Sequence, residues 1–200
     1  MIRIAVVDDH YAVRLGLEAA LRAQPDMTPV GSAASGAELA PLLYRTAPDV
    51  LLVDYRLPDE DGLAICLRLA SEVGAPALIV HSAFADDWLT VPALIAGARG
   101  IVHKGATGQE LAEAIRAVAA GRTALPPIAP DVLVAAGETI GADDRPLLGL
   151  LVHGVSEAEI CSVLRLEAPE LRARRARMLA TLRAPAGEDK RAPASPISRR

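Results

Sequence analysis

The chain has 200 residues and a formal net charge of −4; 52% of its residues are hydrophobic and 2% are aromatic. This length suffices for one domain of ordinary size and a smaller second one, with a core of aliphatic side chains. No apolar run approaches the ~20 residues of a membrane-spanning helix, and the first residues lack the features of a secretory signal. We therefore expect a cytoplasmic protein with no membrane partner.

Residues 1–122 alternate short apolar runs with amphipathic helical patterns. The runs are rich in Val, Ile and Leu, which is typical of strands buried on both faces. The predicted strands are residues 2–7, 28–33, 49–53, 77–81 and 100–102. The predicted helices are residues 12–22, 37–45, 63–72, 87–96 and 108–120. Five strand-helix units predict an α/β fold, a doubly wound parallel sheet with helices on both faces.

The remainder of the chain has a different composition. Residues 123–139 are rich in Pro and Gly and predict a linker that holds one or two helical turns. Residues 140–183 predict a small all-α helix-turn-helix domain, in which Ser156 and Glu159 fit a capping box. The predicted helices of this domain are residues 143–153, 156–164 and 168–182. Residues 184–200 are rich in Pro, Ser and charge, and we expect them to be a disordered tail.

Charge is distributed unevenly along the chain. Residues 1–122 carry 10 Lys and Arg against 15 Asp and Glu, whereas residues 165–183 carry six Arg against two Glu. An acidic N-terminal domain suits a cation, and a basic C-terminal helix suits a polyanion. The two parts of the chain are therefore expected to have different tasks.

Polar residues follow four of the predicted strands. Asp8 and Asp9 come after the first strand, Asp54 after the third, Ser82 after the fourth and Lys104 after the fifth. Because the carboxyl ends of parallel strands meet at one edge of a sheet, we expect these side chains to lie together. Three neighbouring carboxylates repel one another and require a divalent ion and an ammonium group, and Mg²⁺ suits oxygen ligands of this kind.

Three stretches of the chain resemble the receiver domains of response regulators of the NarL/FixJ type. They are VVDDHYAVRLGL at residues 6–17, DVLLVDYRLPDEDG at residues 49–62 and GARGIVHKGA at residues 97–106. With the helical pattern at residues 110–121, the resemblance covers nearly all of residues 1–122, and the combined motifs are highly specific. It implies a flavodoxin-like receiver (response regulatory) domain over these residues.

The resemblance also implies a role for each polar residue at the sheet edge. Asp54 would accept a phosphoryl group from a partner histidine kinase. Lys104 and Ser82 would contact the phosphoryl oxygens, since phosphoryl transfer depends on positioning and on neutralising those oxygens. The implied ligands of Mg²⁺ are Asp8, Asp9, Asp54 and the backbone carbonyl of Arg56.

The residues at positions 101 and 56 limit how this domain is expected to work. Receivers usually carry Tyr or Phe three residues before the lysine, where rotation of the ring reports phosphorylation, but this chain has Ile101. Phosphatases of the haloacid dehalogenase type also use an aspartate at a strand end, with a second aspartate two residues later as the general acid. Arg56 stands at that position and cannot donate a proton near neutral pH, so we do not expect an enzyme.

Residues 140–182 resemble, without gaps, the helix-turn-helix of LuxR-type regulators. The matching segments are LLGLL at 147–151, GVS at 154–156 and EI at 159–160, followed by Leu164, Leu171, Met178 and Leu182. The last helix, residues 168–182, would then be the recognition helix that lies in the major groove. The arginines expected to contact DNA are Arg165, Arg172, Arg174, Arg175 and Arg177. Glu167 and Glu170 replace the Ser and Thr of the family and would oppose the DNA backbone.

The leading hypothesis is a two-component response regulator that controls transcription. Phosphorylation of Asp54 would favour a form that dimerises or frees the helix-turn-helix, and the homodimer would bind an inverted-repeat operator. Two alternatives stay open. In one, the altered C-terminal helices bind a protein partner rather than DNA. In the other, the receiver is a phosphoryl sink without an output.

Overall fold

The structure, a computed structural model, describes residues 1–72, 74–83 and 87–183; the tail expected to be disordered lies outside the described residues. The strands are β1 (Ile2–Val7), β2 (Met27–Ala33), β3 (Val50–Asp54), β4 (Ala77–Ser82) and β5 (Gly100–His103). The first five helices are α1 (Tyr11–Arg22), α2 (Leu39–Thr46), α3 (Gly62–Ala70), α4 (Asp87–Ala96) and α5 (Gly108–Ala119). They are followed by α6 (Pro130–Ile140), α7 (Arg145–Val152), α8 (Glu157–Leu164) and α9 (Ala168–Arg183).

The five strands form one parallel sheet in the order β2-β1-β3-β4-β5. This arrangement confirms the predicted doubly wound sheet, and the predicted strands and helices begin and end within two residues of the observed ones. The strand order reverses at β1, so the carboxyl ends of β1 and β3 lie side by side at the switch point. Residues that follow these two strands are therefore placed next to each other.

Local sequence signals fix where several helices begin. The capping box predicted at α8 is present: the Ser156 hydroxyl accepts a hydrogen bond from the Glu159 N–H at 3.3 Å, and the Glu159 carboxylate accepts one from the Ser156 N–H at 3.2 Å. Thr107 and Glu110 form the same motif at the start of α5. Each box satisfies backbone donors that a helix start otherwise leaves unpaired.

The two faces of the sheet are covered by different helices. On one face, Ile4 and Val6 pack with α1 and α5 through residues such as Leu21 and Ile115. On the other face the core extends from the sheet through α2, α3 and α4 into the C-terminal helices. The receiver and the C-terminal helices therefore share one continuous hydrophobic cluster.

Helix α4 lies in the middle of this shared core. The chain carries no charged residue between Trp88 and Ala98, and nearly every residue of α4 from Leu89 onward is buried. Helices α6, α7 and α9 pack against it. A helix that is apolar on all sides is expected to be covered on all sides. In this chain α3 of the receiver and the C-terminal helices α6, α7 and α9 pack against α4.

The predicted linker contains more structure than expected. It continues the sheet at its start, because Ala124 forms a parallel bridge with Gly100 on the outer edge of β5. It then forms α6, an 11-residue helix that begins with Pro130, where we expected one or two turns. Pro is well tolerated at this first position because its missing N–H has no partner there in any case. In the part of the chain that the structure describes, no helix is long and apolar enough to cross a membrane.

Candidate functional site

The site lies where β1 and β3 end side by side. Asp8 follows β1 and Asp54 ends β3, and both are almost fully buried, with 1% and 4% of their surface exposed. The Lys104 ammonium, carried just beyond β5, lies 2.7 Å from a carboxylate oxygen of each. Three residues that are far apart in the sequence thus form one buried cluster of two carboxylates and one ammonium.

Burial and charge act in opposite directions on this cluster. The pKa of Asp54 is raised, mainly by burial and also by the neighbouring Asp8 charge, although the hydrogen bond from Lys104 lowers it. Burial works to lower the pKa of Lys104, but the bonds to Asp54 and Asp8 outweigh it and raise that pKa. One ammonium therefore faces two buried carboxylates, which leaves an excess of negative charge and favours a further cation.

A set of ligand atoms surrounds this position. Donor atoms of Asp8, Asp9, His10 and Asp54 all lie within 4.8 Å of one another. The second oxygen of Asp8 is held by the His10 N–H at 2.8 Å, and the His10 ring nitrogen Nδ1 lies 2.7 Å from an oxygen of Asp9. The carboxylates are hard oxygen donors of the kind that Mg²⁺ or another hard divalent ion prefers.

The other predicted site residues also lie at this edge. Ser82 ends β4 and is 1% exposed, and its carbonyl accepts a hydrogen bond from the Lys104 N–H at 2.8 Å. The Arg56 N–H donates to Oδ1 of Asp54, the oxygen that does not contact Lys104, at 3.3 Å. Ile101, at the position where receivers carry an aromatic residue, is buried in β5. All five polar residues that the sequence placed at strand ends are thus brought to one edge of the sheet.

Two histidines beside the site are held in the neutral form or in a fixed orientation. Burial, together with the nearby Lys104 charge, lowers the pKa of His81 to about 4, so His81 is neutral at physiological pH. His103 accepts a hydrogen bond from the Gly105 N–H at Nδ1, at 2.9 Å, and its Nε2 lies 2.9 Å from the Ala83 carbonyl. This pairing requires the proton on Nε2. His81 is therefore a neutral, buried side chain, and the His103 ring is held by two backbone groups.

The arginines expected to contact DNA do not share one environment. Arg165, Arg172 and Arg177 are exposed. Arg174 is half-buried and lies near two acidic side chains, 3.8 Å from Asp144 and 3.6 Å from Glu170.

Arg175 departs from the expectation, because only 2% of its surface is exposed. Its Nε donates to the Ile95 carbonyl at 2.6 Å, and its guanidinium forms an ion pair with Glu157. Ile95 lies in the last turn of α4, where carbonyls lack helical partners and attract a cation. Gly97 makes room for the guanidinium, since a Cβ at that position would come within 2.6 Å of it. In this conformation Arg175 joins α9 to the receiver and cannot contact DNA.

A second arginine of α9 also reaches the receiver. The guanidinium of Arg183 donates to the Asp61 carboxylate at 2.6 Å, at the start of α3. Sequence reasoning missed both contacts between α9 and the receiver. The available signal was the long uncharged stretch around α4, which predicts that some other element covers this helix.

The fold and the cluster at the sheet edge define a receiver, and comparison with known proteins agrees. The family model of the response regulator receiver domain matches residues 4–116, so the chain belongs to the response regulator receiver family. This is a regulatory family, and the chain is a response regulator rather than an enzyme.

The similarity to individual regulators extends beyond the receiver. The chain is 34% identical over 192 residues to the DNA-binding transcriptional activator DevR/DosR of Mycobacterium tuberculosis, covering 91% of this chain and 88% of that protein. It is 32% identical over 183 residues to the transcriptional regulatory protein UhpA of Salmonella typhimurium, covering 91% and 92%. The receiver domain of the putative response regulator NarL of Mycobacterium tuberculosis matches 60% of this chain and 98% of its own, at 34% identity and a TM-score of 0.56.

Proposed function

We propose that this response regulator accepts a phosphoryl group on Asp54 from a histidine kinase and regulates transcription by binding DNA through α9. The observation that carries the proposal is the buried cluster in which Lys104 lies 2.7 Å from both Asp8 and Asp54. Such a cluster holds a carboxylate nucleophile in place and offers positive charge where the phosphoryl oxygens gather. A protein that works with a histidine kinase and with DNA in this way would act in the cytoplasm.

The transfer step follows from this arrangement. An Asp54 carboxylate oxygen attacks the phosphorus of a phosphohistidine whose other ring nitrogen carries a proton. The new P–O bond forms as the P–N bond breaks, and the ring leaves as a neutral imidazole. Lys104 supports the acyl phosphate by pairing with its oxygens, and Ser82 stands at the end of β4 to hydrogen-bond another. Asp8, Asp9, Asp54 and the Arg56 carbonyl would hold Mg²⁺, which supplies charge neutralisation when bound. The three carboxylates against one ammonium fit such an ion.

Phosphorylation should depend on Asp54 and on the divalent ion. We expect the protein to gain one phosphoryl group from acetyl phosphate in the presence of Mg²⁺, as measured by intact mass. The Asp54→Asn variant should gain none, because an amide is not a nucleophile at phosphorus, and chelation of the metal should abolish the reaction in the wild type. Phosphorylation of the Asn variant to the wild-type extent would refute the assignment of Asp54.

The proposed DNA binding depends on the exposed face of α9. Arg172 and Arg177 lie five residues apart on this helix, and Arg165 precedes it; all three are exposed. The relative DevR/DosR is described as a DNA-binding transcriptional activator. We propose that the three arginines contact an inverted-repeat operator and that a phosphorylated homodimer binds it. Arg174 would also contact DNA after DNA phosphates replace Asp144 and Glu170 as its partners.

DNA recognition can be tested by selection of bound genomic fragments with and without acetyl phosphate, followed by titration of the enriched site. Because both protomers of the homodimer carry the change, Arg172→Ala with Arg177→Ala removes four arginines from the complex. The double variant should therefore weaken binding about tenfold or more and reduce the slope of log affinity against log salt by about 4. Arg122→Ala removes an exposed arginine of the receiver and is the matched control. An unchanged salt slope in the double variant would exclude these two arginines from the interface.

The exposed carboxylates of Glu167 and Glu170 at the start of α9 favour a second candidate, a protein partner in place of DNA. They stabilise the helix start, but they oppose a phosphate backbone there. Failure to enrich any DNA site in either phosphorylation state would favour this candidate. A wild-type phenotype after deletion of residues 123–200 would instead indicate a phosphoryl sink without an output.

A further inference from the structure

Helix α9 is attached to the receiver at two points. At its middle, the buried Arg175 bonds to the end of α4 and pairs with Glu157 of α8. At its end, Arg183 pairs with Asp61. The two attachments differ in their surroundings, because Arg175 is enclosed by apolar helices whereas Arg183 and Asp61 are about one-third exposed, with 29% and 36% of their side chains accessible. The pair at the end of the helix is the weaker of the two.

Asp61 belongs to the segment that follows the phosphoacceptor. Its Oδ1 atom caps α3 by accepting a hydrogen bond from the Leu63 N–H at 2.7 Å, and the same atom receives the Arg183 guanidinium at 2.6 Å. A shift of Asp61 must therefore either move Arg183 with it or break the ion pair.

The backbone of Asp61 is tied closely to Asp54. Asp61 forms an antiparallel bridge with Arg56, and the Gly62 N–H donates to the Tyr55 carbonyl at 2.9 Å. Gly62 lies so near β3 that a Cβ added to it would be 2.1 Å from the Asp54 carbonyl. The segment from Asp54 to Gly62 is thus a closed loop whose two ends are in contact.

From this geometry we propose that the Asp61–Arg183 ion pair is the link through which phosphorylation of Asp54 reaches α9. The inference rests on the proposed function, since it requires a phosphoryl group on Asp54. A phosphoryl group enlarges Asp54 and shifts the Arg56 backbone, whose N–H donates to the Asp54 carboxylate. The bridge between Arg56 and Asp61 passes this shift to Asp61. The ion pair between Asp61 and Arg183 then weakens, while Arg175 keeps the middle of α9 in place. Such a route needs no aromatic residue at the position of Ile101.

Hydrogen exchange of the α9 amides in the full-length protein tests this link, before and after treatment with acetyl phosphate and Mg²⁺. Two variants break the pair in different ways. Asp61→Asn keeps a good helix cap but removes the charge, and Arg183→Gln removes the guanidinium. Arg122→Gln, at an exposed arginine beyond α5, is the control. Intact mass of each sample reports the phosphorylation of Asp54 separately.

In the wild type and the control, we expect phosphorylation to speed the exchange of the α9 amides. In both pair variants the unphosphorylated protein should already exchange about two- to fivefold faster in α9, in keeping with a partly exposed ion pair. Phosphorylation should then add no further change. The proposal is overturned if either folded variant is phosphorylated normally and still responds like the wild type, or if α9 of the phosphorylated wild type does not respond. Absence of any phosphoryl group on the wild type would overturn the proposed function as well, and the mass measurement identifies that case.

Discussion

Replacement of Arg175 by alanine should lower the free energy of unfolding by about 3 kcal/mol, the low end of the range for breaking a buried ion pair. The guanidinium is enclosed between α4, α8 and α9, where it satisfies the Ile95 carbonyl and pairs with Glu157. Alanine would leave that carbonyl without its partner and would open a cavity beside Gly97. Glu157 is itself 39% exposed and can return to water, which is why the loss stays at the low end.

Urea unfolding followed by circular dichroism measures this loss. Arg172→Ala is the matched control, because Arg172 is an exposed arginine of the same helix, and a surface substitution of this kind is expected to stay within about 0.5 kcal/mol of the wild type. Since the receiver and the C-terminal helices share one core, the wild type should unfold in a single transition. A loss below about 1 kcal/mol for Arg175→Ala would show that the buried contact does not hold the two parts together.

Replacement of Lys104 by alanine should slow phosphorylation by acetyl phosphate by about 10²- to 10³-fold, the usual effect of removing one group that stabilises a developing anion. The reason is geometric: the ammonium lies 2.7 Å from Asp54 and 2.7 Å from Asp8, beside the oxygens that carry charge during transfer. The initial rate of phosphoryl incorporation, measured by intact mass at saturating Mg²⁺, gives the effect directly.

The same variant provides its own check that the pocket is intact. Without the ammonium, the carboxylates of Asp8 and Asp54 should attract Mg²⁺ more strongly, so added Mg²⁺ should raise the melting temperature of Lys104→Ala more than that of the wild type. A variant that is stabilised by Mg²⁺ in this way and still reacts at the wild-type rate would rule out a role for Lys104 in the transfer.

Much of the receiver could be predicted because its signals are local and repeated. Strands such as Val50–Asp54 are continuous apolar runs, and α4 begins and ends at the predicted residues. The edge of the sheet at which Asp8 and Asp54 meet follows from topology alone, since parallel strands present their carboxyl ends together. Once the alternation of strands and helices is established, the convergence of distant polar residues requires no further information.

The packing of the C-terminal helices could not be predicted in the same way. The charge pattern places Arg175 on α9 among other arginines, but its partner is a main-chain carbonyl of α4, 80 residues earlier, which leaves no mark in the sequence. The three turns of α6 are likewise stabilised by packing against α4 and α9 rather than by strong helix propensity. An arginine that holds two parts of a protein together and one that contacts DNA have the same sequence signature.

The central claim is that phosphorylation of Asp54 controls DNA binding by α9. The most direct test is the affinity of the selected DNA site, measured at fixed salt, for the wild type before and after phosphorylation and for Asp54→Asn treated in the same way. We predict that phosphorylation strengthens binding of the wild type at least tenfold (about 1.4 kcal/mol) and leaves the Asn variant unchanged. Equal affinity of the phosphorylated and unphosphorylated wild type would contradict the account.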